Sequence, residues 1–135
     1  MKKPIAELRG MTDEIAAVLK EKGISDSAQL LEAAKKPAGR KELAAACGCE
    51  TRAILELANR SDLARLKGVG VAYSDLLEKA GVDTVKELRN RRADNLHAKI
   101  LEVNGAGEIT KQPPTADMVA DWVAQAKELP PMIEY

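Results

Sequence analysis

The chain has 135 residues, 45 % of them hydrophobic and 31 % charged. That balance suits one globular domain with a docked tail and excludes a disordered chain. Twenty-one basic residues offset 21 acidic ones, so no strong global pull toward nucleic acid or an anionic membrane is expected. No apolar run reaches the roughly 18 residues of a membrane span. Met1-Lys2-Lys3-Pro4 lacks a signal peptide's apolar core, so a cytoplasmic location with no membrane partner is expected. Cys47 and Cys49 would be reduced there. With no Phe, one Trp and two Tyr, the core must be built from Leu, Ile, Val and Ala.

Pro4 can open a short helix carrying Ile5 and Leu8, because proline suits the first helical position. Gly10-Met11-Thr12 reads as a turn, and the Thr12 hydroxyl can cap the helix that follows. That helix presents Ile15, Val18 and Leu19 on one face and ends at Gly23. A third helix carries Leu30 and Leu31 and stops before Lys35-Lys36-Pro37-Ala38-Gly39. Arg40 to Ala46 reads as a short helix ended by Gly48, and Glu50 to Ala58 as another. Asn59-Arg60-Ser61 reads as a turn, with Ser61 capping a helix that leads into Leu66-Lys67-Gly68-Val69-Gly70.

The next helix places Tyr73, Leu76, Leu77 and Ala80 on one face. Gly81 ends it, and Thr84 with Glu87 makes a capping box for another helix ending near Leu88. Asn90-Arg91-Arg92 reads as a basic turn. Asp94 to Val103 reads as a helix ended by Asn104-Gly105-Ala106-Gly107. Residues 104–114 form a linker closed by Pro113-Pro114. Thr115 caps a last helix, in which Val119, Trp122, Val123 and Ala126 recur at helical spacing. That apolar face should dock rather than stay in water. No convincing strand is found; Glu108-Ile109-Thr110 is the one short candidate.

Two of these stretches match without a gap. Shifted by 58 residues, Leu66 falls on Leu8, Gly68 on Gly10, Leu77 on Leu19, Gly81 on Gly23 and Leu88 on Leu30. Only five of 23 positions are identical, but they are the turn glycines and the apolar anchors. Asp26 and Gln29 echo the Thr84–Glu87 box. The pattern is that of a tandem repeat. The glycine turn and the helix after it resemble a helix-hairpin-helix motif, a unit found in many proteins that grip the DNA backbone. Its glycines leave the first amides of the next helix uncovered, where an anion such as phosphate can sit.

The order of the pieces resembles one family of tandem helix-hairpin-helix proteins, catalogued as a domain of unknown function, number 4332. The matching residues include Gly39-Arg40-Lys41-Glu42-Leu43-Ala44, Ala64 to Gly70, Ala80 to Leu88, Asn95 to Lys99 and Val119 to Lys127. The resemblance covers nearly the whole chain. It implies an all-α fold and no particular activity. The expected architecture is tandem helix-hairpin-helix repeats at a 58-residue offset with a docked C-terminal helix. The repeats span about 5–31 and 63–89, joined by helices over 40–58, in a domain covering 1–103. Residues 104–114 are the linker, and 115–135 pack on the same domain.

The DNA-binding form of the motif commonly places Pro and then Lys or Arg after the turn. Here those positions are Val71 and Ala72 in the second hairpin, and Asp13 and Glu14 in the first. Carboxylates in a first turn suit the helix dipole but repel phosphate, so the first hairpin reads as structural. From Leu66 to Arg92 six cations face four anions; from Leu8 to Leu31 three face four. The candidate nucleic-acid-binding residues are therefore Lys67, Gly68, Val69, Gly70, Arg89, Arg91 and Arg92. Lys35, Lys36, Arg40 and Lys41 could widen such a footprint. Cys47-Gly48-Cys49 has only His97 to help it toward a four-ligand zinc site, so no metal and no cofactor are expected. No catalytic constellation is found, and no enzyme is expected. The expected function is a non-catalytic module that binds duplex DNA backbone weakly and without reading sequence. The alternative is an adaptor for an unidentified protein partner that has lost the phosphate-binding cations.

Overall fold

The computed structural model describes residues 2–135. Among them the secondary structure is a 3₁₀ turn, Ile5–Glu7, followed by eight α-helices. These are α1 (Asp13–Glu21), α2 (Ser27–Ala34), α3 (Pro37–Cys47), α4 (Thr51–Leu63), α5 (Val71–Lys79), α6 (Val85–Leu88), α7 (Ala93–Gly107) and α8 (Ala116–Glu128). No strand occurs among the described residues, and Pro4 and Asp26 make one isolated antiparallel bridge. The protein is all-α, as its composition and periodicity predict.

The helices form two compact units. The first contains the chain up to Arg65 together with Met132–Tyr135; the second is Leu66–Pro131. In the first unit α4 packs on α2 and α3, and α3 also touches α1 and α2. Leu19, Leu30, Ile54 and Leu57 are the buried centre of its core. In the second unit α8 packs on α6 and α7, and α5 packs on α7. Its buried centre includes Leu66, Leu76, Leu77, Leu88 and Trp122.

Several boundaries recur 58 residues apart. Helices α1 and α5 both have nine residues, beginning at Asp13 and Val71. Each is preceded by a positive-φ glycine, Gly10 at 93° and Gly68 at 89°. Each ends on the same pair of backbone bonds: Gly23 and Ile24 donate to Lys20 and Leu19, and Gly81 and Val82 donate to Glu78 and Leu77. Helices α2 and α6 then start behind Asp26 and Thr84, whose side chains accept from the amides of Gln29 and Glu87. The glutamine and glutamate reach back to the amides of Ser25 and Asp83, one residue before the caps themselves.

Three expected boundaries differ. Asn59-Arg60-Ser61 is not a turn: α4 runs through it to Leu63. The Ser61 hydroxyl donates to the Leu57 carbonyl one turn back (2.9 Å), which satisfies it inside a helix rather than at a cap. Helix α3 starts at Pro37, three residues earlier than read, with Gly39 in its first turn. A Cβ on Gly39 would lie 2.2 Å from the Ala33 carbonyl oxygen, so glycine serves close approach to α2 here. Helix α7 runs on to Gly107, taking the first four residues of the stretch read as a linker. Asn104 fixes the exit from α7: its Nδ2 donates to the Thr110 carbonyl (3.0 Å) and its Oδ1 accepts from the Thr110 amide (2.9 Å).

Candidate functional site

The turn before α5 hangs on two buried anchors, Leu66 and Val69, with Lys67 and Gly68 exposed between them. The anchors fix the turn from below, so the polar backbone faces outward. Gly70 takes the N-cap position of α5 and no side chain bonds the helix's first amides. In the first unit the corresponding position is Thr12, whose Oγ1 accepts from the Ile15 amide (3.2 Å). One helix start is thus served by its own sequence, and the other is left to solvent or a ligand.

Helix α8 holds the turn from the other side. Gln125 accepts from the Lys67 amide through Oε1 (2.8 Å) and donates to the Lys67 carbonyl through Nε2 (3.1 Å). Trp122, 2 % exposed, places its indole nitrogen 3.5 Å from where a Gly68 Cβ would stand. Its ring lies against Tyr73, with centroids 5.3 Å apart and planes tilted by 50°. The Tyr73 hydroxyl donates to the Gln112 carbonyl (2.9 Å), which brings that residue and its exposed neighbour Lys111 beside α5.

Two of the three candidate arginines are occupied by helix ends. Arg89 donates through Nη2 to the carbonyls of Lys127 (3.1 Å) and Leu129 (3.2 Å), closing the C-terminus of α8. Arg91 sends Nη1 and Nη2 to the Ala80 carbonyl, both at 3.4 Å, closing α5. Cations there complement the helix dipole. Arg92 is the exposed one, with a side chain 76 % accessible and an ion pair to Asp94 at 3.1 Å. The Asn95 amide, with the Arg92 guanidinium near it, holds the Asp94 carboxyl below its ordinary range.

Arg91 and Arg92 line an open groove of about 480 Å³ with Ala93, Asp94, Ala120, Val123, Ala124 and Lys127. Residues 120, 123, 124 and 127 share one face of α8, whereas Trp122 and Gln125 lie roughly 180° around the helix. Lys67 and Gly68 therefore meet α8 on one side, and Arg91 and Arg92 on the other. The seven residues singled out by the sequence divide into the turn 67–70, two helix-closing arginines and one arginine in a separate groove.

The basic loop of the first unit divides likewise. Arg40 is buried and Lys35 pairs with Glu32 at 2.7 Å, while Lys36 and Lys41 are exposed. Cys47 and Cys49 are free, half-buried thiols, and burial with the nearby Cys49 pushes the Cys47 thiol up. His97 Nε2 donates to the Pro114 carbonyl (3.0 Å), tying α7 to the approach of α8. Among the described residues no group of three or more His, Cys, Asp or Glu is placed to hold a metal. None of the described helices is long and apolar enough to cross a membrane. Gln125 and Lys111 were not singled out by the sequence. Gln125 lies in the family-matching stretch Val119 to Lys127 but carries no charge that marks it, and only the packing of α8 and the Tyr73–Gln112 bond bring the two to the turn.

These features define a class: an all-helical protein of short helices, with glycine turns ahead of paired nine-residue helices. Within that class the chain belongs to the family described as domain of unknown function (DUF4332), whose sequence profile matches residues 9–129. No curated protein and no solved structure matches it.

Proposed function

We propose that the protein is a non-catalytic, cytoplasmic tandem helix-hairpin-helix module that contacts the phosphate backbone of duplex DNA through the turn Lys67-Gly68-Val69-Gly70 and the first turn of α5. The repeat reading is supported by the recurrence of caps, glycine conformations and helix ends 58 residues apart. The binding reading is carried by one observation: α5 starts without a capping side chain, next to an exposed Lys67 and Gly68. Open amides at a helix start, with a cation alongside, suit a phosphate oxygen. Arg89 and Arg91 contribute by fixing helix ends rather than by meeting phosphate, and Arg92 belongs to another surface.

Binding of this kind is weak and sequence-independent. With one or two cations at the turn, log K falls with log salt at a slope of about −1 to −2. The test is fluorescence anisotropy with a labelled duplex across a salt series. Gly70→Asp places a carboxylate at the N-cap, where it bonds the open amides itself, and should abolish binding with the fold intact. Absence of binding at low salt, or binding untouched by Gly70→Asp, rejects the reading.

The adaptor for a protein partner is the second reading. It is favoured by the commitment of Arg89 and Arg91 to main-chain carbonyls, which leaves the second hairpin poorer in free cations than its sequence suggests.

A further inference from the structure

Residues 132–135 lie in a cleft of the first unit, beside the end of α2 and the start of α3. Ile133 is 9 % exposed and joins the core of that unit, and Met132 packs against the same core. Glu134 is held by its main chain: its amide donates to the Lys35 carbonyl (2.7 Å), and its carbonyl accepts from Arg40 Nη2 (2.6 Å). Its side chain adds nothing to these two bonds. Tyr135 ends the segment with its hydroxyl 3.4 Å from Asn59 Oδ1.

Arg40 is the working part of the cleft. It is 4 % exposed, and its Nη1 donates to the carbonyls of Ala34 (2.9 Å) and Lys35 (3.1 Å). A guanidinium this deeply buried needs acceptors for its donors. Two of the carbonyls it uses close α2, and the third comes from the tail. The cleft thus selects an aliphatic side chain and then reads the N–H and C=O of the following residue, whatever its side chain. Those are the terms on which extended peptides are recognised through main-chain bonds and alternate pockets. Pro130 and Pro131, just ahead, keep the helix from continuing and favour extended backbone.

We propose that this cleft is a peptide-docking site for an extended aliphatic-X segment. The chain's own residues 132–135 fill it in cis, and the same segment of a second copy fills it in trans when they leave. Four residues with one buried side chain are held locally, so the segment opens without unfolding of α2–α4. The proposal is independent of the nucleic-acid reading, because it uses no residue of the turn 67–70 or of α5.

The test uses the full chain carrying Ile133→Asp, which keeps the cleft and ejects its own tail. The probe is a fluorescent, acetylated peptide with the sequence of residues 128–135. Saturable binding to the variant is expected, with binding to the wild type at least about ten-fold weaker because the filled site competes. A peptide with Glu134→Ala should bind as well as the parent. Peptides with Ile133→Asp or Glu134→Pro should not bind, the first lacking the aliphatic group and the second the amide. No saturable binding to a variant of native helicity, or equal binding to variant and wild type, overturns the proposal. Should Ile133→Asp fail to fold, amide exchange on the wild type decides. The Glu134 amide should exchange at least about ten-fold faster than the amides of α4, and equal protection overturns the proposal.

Discussion

Gln125 grips Lys67 by both polar groups of its main chain, with amide to Oε1 at 2.8 Å and carbonyl from Nε2 at 3.1 Å. The geometry is that of a short stretch of ladder supplied by one side chain. It fixes the first residue of an exposed turn against the last long helix, and it consumes the Lys67 amide. The start of α5 itself keeps no capping side chain.

Gln125→Ala should therefore cost about 1–2 kcal/mol, as expected for two partly solvated neutral hydrogen bonds to Lys67 and an exposed one from Nε2 to the Asp121 carboxylate (2.9 Å). Gln125→Glu should cost at least as much, because a carboxylate can donate neither to the Lys67 carbonyl nor to Asp121, whose charge it would repel. Urea denaturation of the three proteins checks both. Equal midpoints for wild type and Gln125→Ala would show that the clamp contributes nothing to the fold.

Gly68 and Gly70 should respond unequally, although sequence treats them as a pair. Gly68 has φ 89° and faces the Trp122 indole, so Gly68→Ala should cost about 1–2 kcal/mol for the left-handed backbone alone. Gly70 has φ −95° and open space around its missing Cβ. Gly70→Ala meets no clash, and should cost only the difference between glycine and alanine at an N-cap, about 0.5–1 kcal/mol. Trp122→Ala, which empties the site beside Gly68, should cost roughly 3–5 kcal/mol. Thermal melts of the three variants order them as Trp122, Gly68, Gly70, and any other order contradicts the packing described.

Gly39→Ala runs against helix propensity. Alanine in a helix is favoured over glycine by about 1 kcal/mol. Here, however, the added Cβ meets the Ala33 carbonyl oxygen at 2.2 Å, and backbone cannot swing aside as a flexible side chain does. The overpacking cost of about 1–3 kcal/mol should win, lowering the melting temperature. A melting temperature above wild type would mean that α2 and α3 separate easily at this point.

The legible parts of the chain are those that local chemistry decides. Residue type and spacing mark Thr12, Asp26, Thr84 and Thr115 as caps, and all four accept the expected amides. The burial of Trp122 follows from its place on the apolar face of α8. What sequence could not supply was the destination of long polar side chains. Arg89 and Arg91 look like a basic patch because their targets, the carbonyls closing α8 and α5, lie 38 and 11 residues away. Arg40 looks like a surface cation in a lysine-rich loop, yet the Glu134 carbonyl, 94 residues on, helps to bury it. Ser61 reads as a cap but lies inside α4. A serine suits a cap and a helix interior that bonds the i−4 carbonyl equally well, and only the continuity of α4 separates the two.

The difference between the two helix starts can be turned into an experiment. Helix α1 begins with Thr12 bonded to the Ile15 amide and with exposed Asp13 and Glu14; α5 begins with Gly70, Val71 and Ala72. Grafting the second pattern onto the first, as Thr12→Gly, Asp13→Val and Glu14→Ala, opens the α1 amides and removes two charges that repel phosphate. Replacing the threonine cap by glycine should cost only a few tenths of a kcal/mol. Losing two first-turn carboxylates should add about 0.3–1 kcal/mol each, so the triple variant should fold with a modestly lower melting temperature. If open amides are what a phosphate recognises, the variant should bind duplex DNA more tightly at low salt. Its salt slope should steepen by about one if the graft recruits a single further phosphate contact. Anisotropy at three salt concentrations measures both quantities. Unchanged affinity in a folded triple variant would show that an uncapped helix start does not bind phosphate in this protein.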